Sequence, residues 1–145
     1  MKEKTIEIFY KESLREIERG LGNGITNSRE VTEMGKCLFD AKYKGTYAVD
    51  RLPKLKHGEC CIINLDRSHQ PGSHWVGVYK HDNKYVIYDS FGRKSSKILK
   101  SLKRLDIIDT DYDPEQMMQE DNCGQRSLAW LWCVYKLGIE NALKI

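Results

Sequence analysis

The chain has few of the features that mark membrane-spanning, secreted or disordered proteins. Only 3 of its 145 residues are proline, and no apolar run approaches the roughly 20 residues that a membrane-spanning helix needs. Residues 1–20 alternate charged and apolar side chains, unlike the apolar core of a secretory signal. The formal net charge of +3 permits an anionic partner without requiring one. We therefore expect a monomeric globular protein with one domain over residues 1–145, neither secreted nor membrane-bound.

The chain also lacks an even set of cysteines that could pair. The cysteines are Cys37, Cys60, Cys61, Cys123 and Cys133. An odd number that includes an adjacent pair indicates free thiols in a reducing compartment. His57 and Cys60 lie at a spacing that zinc ligands use, but no second pair at ligand spacing follows. We therefore expect no metal site, and the run at 59–65 predicts a buried central strand instead.

The apolar patterns that are present predict an α+β fold with a mixed sheet. The predicted helices cover residues 4–20, 28–41, with Asn27 or Ser28 as the cap, 95–105, and 123 to a stop at Gly138. Two predicted strands within 74–92 flank a tight turn at Asp82-Asn83. Residues 42–55 are predicted as loop with a little extended structure, and residues 109–122 as acidic and irregular. No internal repeat or interdomain linker interrupts this order.

The stretch DNCGQRSLAWLW, residues 121–132, places a cysteine where a helix begins. Asn122 is a suitable N-cap, so Cys123 falls in the first helical turn. Free backbone N–H groups and the positive end of the helix dipole favour a thiolate there, and the thiolate is the nucleophile. Glu120 and Asp121 oppose that charge, so a neighbouring imidazolium has to outweigh them. By itself the stretch fits a small buried residue equally well.

The hairpin supplies a base for such a thiol. A two-residue turn at Asp82-Asn83 sets Val76 opposite Asp89, and His74 shares a face with Val76. Asp89 is then a diagonal neighbour of His74, and a carboxylate there stabilises a charged imidazole. A one-residue slip in register would separate the two side chains. Taken singly, each would more simply be a polar residue at a strand end.

Acyl transfer also needs hydrogen-bond donors aimed at the developing oxyanion. The backbone amide of Cys123 supplies one donor. Gln116 and Gln119 both lie just upstream and could supply a second. Their spacing alone does not choose between them.

Together these stretches resemble adenain-like cysteine peptidases, found in adenoviruses, virophages and Polinton-type elements, within the larger class that includes SUMO-specific proteases. The resemblance lies in GSHWVGVY, YVIYDSFG and Q…NCGQ, in the order His, Asp, Cys, and in GTYAVDRLP and CCIINL. It covers most of residues 45–135. It implies a papain-like or adenain-like fold, with a central mixed β-sheet and the nucleophile at the N-terminus of a buried helix.

The resemblance also implies roles for single residues. His74 matches the general base, Cys123 the nucleophile, and Asp89 the orienting acid, where adenain has a glutamate. Gln116 matches the oxyanion glutamine, and Gln119 is too close to the cysteine. Trp75 matches an aromatic that lines the substrate cleft, although an ordinary core aromatic fits about as well.

The function implied is a cysteine endopeptidase that cuts viral capsid and core precursors at small-residue, Gly-containing sites. Its place would be the virion and the host cytoplasm or nucleus, with no required cofactor. The chain is shorter than adenain and shows no obvious cysteine for an activator-peptide disulfide. One alternative is a SUMO-type protease with the same triad, against which the short chain argues. Another is a non-catalytic DNA-binding virion protein, against which the intact triad argues.

A basic segment follows the hairpin. Lys94, Lys97, Lys100 and Lys103 recur every third position, which on a helix makes one cationic stripe. Such a stripe can follow phosphates, and the resemblance adds weight because adenain uses DNA as a cofactor, so DNA is a candidate activator. Most charge runs are only solvated faces, however, and the acidic residues 106–121 weaken the field.

Overall fold

A computed structural model of the chain describes residues 1–65, 74–92, 107–110, 114 and 120–145. In these ranges it contains a five-stranded sheet and four α-helices. The helices are α1 (Glu3–Leu21), α2 (Ser28–Phe39), α3 (Cys123–Leu137) and α4 (Ile139–Ala142). The strands are β1 (Tyr43–Ala48), β2 (Cys60–Asn64), β3 (Trp75–His81), β4 (Lys84–Tyr88) and β5 (Ile107–Asp109). The predicted α+β class with a mixed sheet is confirmed.

The sheet order is β1-β2-β3-β4-β5, with antiparallel pairs in the middle and a parallel pair at each side. The β3–β4 hairpin turns at Asp82-Asn83, and Asp82 adopts a φ of 51° that such a tight turn requires. Gly77 pairs with Tyr88, and His81 pairs with Lys84. The register predicted from the turn is therefore confirmed.

Helices α1 and α3 pack on one face of the sheet. The apolar stripe of α1 consists of Ile6, Tyr10, Leu14 and Ile17, all buried. Helix α3 is buried from Cys123 through Leu131, because it lies between α1 and β3. Alternate strand residues such as Ile62, Trp75 and Tyr88 form one hydrophobic cluster with these helices. Their neighbours along the strands form a second hydrophobic cluster on the opposite face of the sheet.

Two strands depart from the sequence prediction. Residues 43–48, predicted mostly as loop, form β1, which among the described strands pairs with β2 alone, at the sheet edge. Residues 107–109 form β5, a three-residue strand beside β4, although Asp109 belongs to the segment 109–122 that the sequence predicts to be irregular. Neither strand is fully buried, so neither carries the continuous apolar run that marks β2.

The helix boundaries agree more closely. Helix α1 ends where Gly22 takes a φ of 75°, and α2 begins after Asn27, which forms a capping box with Glu30. Helix α2 ends at Phe39, two residues before the predicted limit. The predicted helix over 95–105, the four lysines of the basic segment, Gln116 and Gln119 lie outside the described residues.

None of the helices that the structure describes is both long and apolar enough to span a bilayer. The longest, α1, carries charged side chains along its exposed side, including an ion pair between Lys11 and Glu7. Its buried side is occupied by α3.

Candidate active site

His74 and Asp89 lie at the open end of the hairpin. His74 immediately precedes β3, and Asp89 immediately follows β4. The His74 Nε2 and Asp89 Oδ1 atoms are 2.8 Å apart. Both residues are buried, at 6% and 4% exposure. The hairpin register thus brings together the two residues that the sequence suggested as a pair.

Phe91 fixes the geometry of this pair from both sides. Its ring stacks on the His74 imidazole, with centroids 4.6 Å apart and an interplanar angle of 23°. Its backbone N–H donates to Asp89 Oδ1 at 2.9 Å. The imidazole therefore cannot rotate freely, and the carboxylate oxygen that it contacts is held in place by the chain itself.

Cys123 is the first residue of α3 and is 7% exposed. Its Sγ accepts a hydrogen bond from the backbone N–H of Trp75 at 3.4 Å, and Cys123 is close enough to the His74 ring to raise the pKa of that ring. Because Asp89 occupies Nε2, the ring nitrogen left for the thiol is Nδ1. The structure thus gathers His74, Asp89 and Cys123 at one point, beneath the start of a helix.

The pKa of His74 reflects two opposing effects. Burial by itself lowers it, because a charged ring loses hydration. The hydrogen bonds and charges of Asp89 and Cys123 act in the other direction and prevail, so the pKa of His74 is raised above its usual value. The site therefore favours an imidazolium beside the thiol.

The remaining described cysteines differ from Cys123. Burial raises the pKa of Cys60 and of Cys133 to about 12, and it also raises the pKa of the fully enclosed Cys61. Cys37 is exposed on α2, away from any imidazole partner among the described contacts. Among the described residues, Cys123 is the only cysteine that raises the pKa of a histidine.

A glycine allows the start of α3 to approach its neighbours closely. A Cβ at Gly124 would lie 2.4 Å from Thr26 Oγ1, 3.2 Å from Val31 Cγ2 and 3.3 Å from Trp75 Cδ1. Real Cβ atoms do not approach other atoms as closely as the first of these distances. The glycine after the cysteine is therefore required by packing.

The loop between α1 and α2 is held against the site by Gln125, which the sequence did not mark as a site residue, and by Trp75. Gln125 donates from Nε2 to the carbonyl oxygens of Gly22 and Gly24, at 2.8 and 2.9 Å. Trp75 donates from Nε1 to the carbonyl oxygen of Thr26 at 3.2 Å. Trp75 is 9% exposed, so in this structure its ring supports the loop and packs in the core. A fully buried glutamine in an apolar helix is a signal that could have identified this link.

The N-cap prediction for Asn122 needs correction. Asn122 occupies the N-cap position of α3, but its side chain makes no capping hydrogen bond. Its Oδ1 instead accepts from Arg126 Nε at 3.1 Å, and its Nδ2 donates to Glu18 Oε2 at 3.4 Å. A charged donor competes with a neutral amide for the carboxamide oxygen, and charged hydrogen bonds are the stronger ones.

Glu120 and Asp121, the acidic residues before Cys123, disfavour a thiolate less than the sequence suggests. Glu120 pairs with the Arg126 guanidinium at 3.3 Å. Its charge is therefore offset within the protein. Asp121 is exposed, so water screens it.

The described residues offer no metal centre: nowhere among them do three or more His, Cys, Asp or Glu side chains converge as ligands. Cys60 is enclosed on β2. His57 lies at the surface, where its Nδ1 accepts from the backbone N–H of Asp82 at 2.8 Å. Cys60 and His57 therefore lie in separate surroundings and do not form a pair of metal ligands.

No protein-family model matches this chain, and no curated protein matches its sequence at a significant level. Function at this site is therefore inferred from its geometry and chemistry.

Proposed function

We propose that this chain is a cysteine endopeptidase of the papain-like or adenain-like fold, with Cys123 as nucleophile, His74 as general base and Asp89 as orienting acid. The observation that carries the proposal is the grouping around His74: its ring is bonded to Asp89 at 2.8 Å, and Cys123 Sγ is bonded to the backbone N–H of the adjacent Trp75 and raises the pKa of the ring. Cys–His sites activate a thiol by this arrangement.

The first chemical step is proton transfer and attack. The Cys123 thiol gives its proton to His74, and the raised pKa of His74 favours holding it. The backbone N–H of Trp75 and the positive end of α3 stabilise the thiolate. The sulfur electron pair then attacks a peptide carbonyl carbon, and the C=O π pair moves onto oxygen.

The second step is collapse to an acyl-enzyme. The Cys123 backbone amide donates to the oxyanion, and Gln116, outside the described residues, is the proposed second donor. The peptide C–N bond breaks as His74 gives its proton to the leaving nitrogen. Water, deprotonated by the same ring, hydrolyses the thioester and regenerates the thiol.

The proposed substrates are viral capsid and core precursors, cut at small-residue, Gly-containing sites within the virion or the infected cell. This part rests on the sequence resemblance alone. So does the proposal that DNA, bound by Lys94, Lys97, Lys100 and Lys103, acts as an activator.

The primary test is active-site labelling followed by mass spectrometry. A peptide ending in glycine and carrying a thiol-directed electrophile should modify Cys123, and His74→Ala should abolish the labelling. Cys37→Ala, which removes the exposed thiol, is the matched control and should label normally. Labelling of Cys37 in preference to Cys123 would contradict the proposal.

A second test addresses the substrate. The protein is incubated separately with a capsid precursor of an adenovirus-like element and with ubiquitin-like conjugates, and new termini are sequenced. Cuts after glycine in the precursor, absent in Cys123→Ala, are expected. Cleavage of the conjugates alone would move the assignment to a SUMO-type protease.

A further inference from the structure

Arg126 is a buried cation close to the proposed nucleophile, and the mechanism above does not use it. It is 9% exposed, and its guanidinium makes three side-chain hydrogen bonds. Nε donates to Asn122 Oδ1 at 3.1 Å, one terminal nitrogen donates to Tyr10 Oη at 3.3 Å, and the other to Glu120 Oε2 at 3.3 Å. Burying a cation is expensive unless it is paired in this way.

The bond to Asn122 changes how α3 begins. An N-cap asparagine ordinarily has extended backbone, and its side-chain oxygen accepts from the amide two or three residues on, here Gly124 or Gln125. Asn122 instead has φ −100° and ψ 29° and makes no such bond. These angles lie in the sparsely populated bridge region, where many active-site residues are found.

We propose that Arg126 is a positioning residue for the nucleophile, because it holds the Asn122 carboxamide away from the first-turn amides of α3. Those amides are then not neutralised by a capping oxygen, and the positive end of α3 that they form can stabilise a Cys123 thiolate. The proposal rests on the proposed function only in taking Cys123 as the reactive thiol.

A second contact extends the role of Arg126 to the other half of the site. Its partner Tyr10 shares a hydrogen bond with Tyr88, with the two hydroxyl oxygens 2.8 Å apart. Tyr88 directly precedes Asp89 in the chain. Arg126 therefore connects the helix start that carries the thiol to the strand end that carries the carboxylate.

The test measures the alkylation rate of Cys123 by iodoacetamide at pH 6, in the full chain with Cys37→Ser to remove the exposed thiol. Arg126→Met should slow alkylation by about three- to tenfold, the range expected from losing helix-terminus stabilisation of a thiolate. The cavity of about 510 Å³ that borders Asn122 and Glu18 gives the freed carboxamide room to turn.

The decisive arm is a second substitution. Asn122→Ala removes the competing oxygen, so the Asn122→Ala, Arg126→Met double variant should recover most of the lost rate. Asn122→Ala alone should stay within about twofold of the parent. If the double variant is as slow as Arg126→Met, Arg126 acts only through its own charge or through folding, and the proposal is overturned.

Two further measurements keep the outcomes separate. If Arg126→Met does not fold, Arg126→Lys replaces it, both alone and combined with Asn122→Ala. Lysine keeps the positive charge but lacks the guanidinium that bonds to three partners. If the parent thiol reacts no faster at pH 6 than Cys37 in the intact chain, the proposed function itself fails. A fast parent thiol whose rate is unchanged by Arg126→Met and Arg126→Lys overturns the positioning role alone.

Discussion

Helices α2 and α3 both begin after an asparagine, yet the two asparagines do different things. Asn27 has extended backbone, and its side chain accepts from the Glu30 amide at 2.9 Å, while the Glu30 carboxylate accepts from the Asn27 amide at 3.1 Å. Asn122 is drawn away by Arg126 and caps nothing with its side chain. The same residue type at the same helix position thus satisfies the first-turn amides in one helix and leaves them uncapped in the other.

The difference follows from what stabilises each helix. The first turn of α2 is exposed, and a capping box provides local stability where tertiary packing is thin. The first turn of α3 is enclosed by α1, β3 and the α1–α2 loop, so packing fixes it without a cap. The start of α3 can therefore leave its N–H groups available for chemistry.

The strongest way to separate the two helix starts is to replace their first residues. Cys123→Ala should abolish peptide cleavage, a loss of at least about a thousandfold, because the nucleophile is removed. Ser28→Ala, at the same position of α2, should leave the rate unchanged. Cleavage assays and circular dichroism spectra of both variants provide the check. Appreciable cleavage by Cys123→Ala would show that Cys123 is not the nucleophile, so the two helix starts would not differ in function.

The second-largest effect is expected from replacing His74, the proposed general base for the thiol at the start of α3. His74→Ala should reduce kcat nearly as much as Cys123→Ala, since residues that act as a unit are not additive. The double variant of these two should then be little worse than either one. His57→Ala, which alters an exposed histidine that contacts Asp82, is the matched control and should cleave normally. Additive losses in the double variant would show that the two residues act separately.

Asp89→Asn should have a smaller effect, about a hundredfold on kcat, because the amide keeps the size and part of the hydrogen bonding. Asp89 raises the pKa of His74, so its loss lowers that pKa. The imidazolium then deprotonates at lower pH, and the basic limb of the rate profile moves to lower pH. A profile of kcat/KM against pH measures this, and an unmoved basic limb would argue against the pairing.

Gly124→Ala tests the packing that replaces a cap. Because the new methyl group meets Thr26, Val31 and Trp75, we expect a loss of about 1–3 kcal/mol in the free energy of unfolding. Arg29→Ala, at the matching second position of α2, alters a side chain that is 86% exposed and should change little. Urea titrations of the two variants measure the difference. Equal stabilities would mean that the start of α3 is looser than its contacts indicate.

The smallest expected effect belongs to the capped helix. Asn27→Ala should lower the free energy of unfolding by about 1 kcal/mol and leave cleavage unchanged. Asn27→Ser, which keeps an acceptor oxygen, should recover most of that stability. Thermal unfolding and a cleavage assay of both variants would show it. A reduced cleavage rate in Asn27→Ala would mean that the two helix starts are coupled through the loop between them.

The sequence predicts the hairpin half of the candidate site well. The turn at Asp82-Asn83 sets the register by local rules, and the register then determines that His74 and Asp89 come together. The boundaries of α1 and the start of α2 are likewise encoded nearby, by glycines and a capping box.

The helix half depends on distant residues and was only partly predictable. Asn122 has the residue type and the position of an N-cap. In the fold, however, its side chain bonds to Glu18, 104 residues away, and to the buried Arg126. Residues 43–48 are predicted as loop with only a little extended structure, because β1 is partly exposed and its described strand pairing is with β2. Local propensity does not contain such long-range contacts.

The hydrogen bond between the Trp75 amide and Cys123 Sγ joins residues 48 positions apart, and α1 packs against α3 across most of the chain. Synthesis runs from the N-terminus at about 5–20 residues per second, so the imidazole and carboxylate are made seconds before the thiol. During translation the growing polypeptide therefore carries the proposed base and its carboxylate partner before the proposed nucleophile exists. Under the proposed function, peptide cleavage becomes possible only once α3 has been made and has packed against β3.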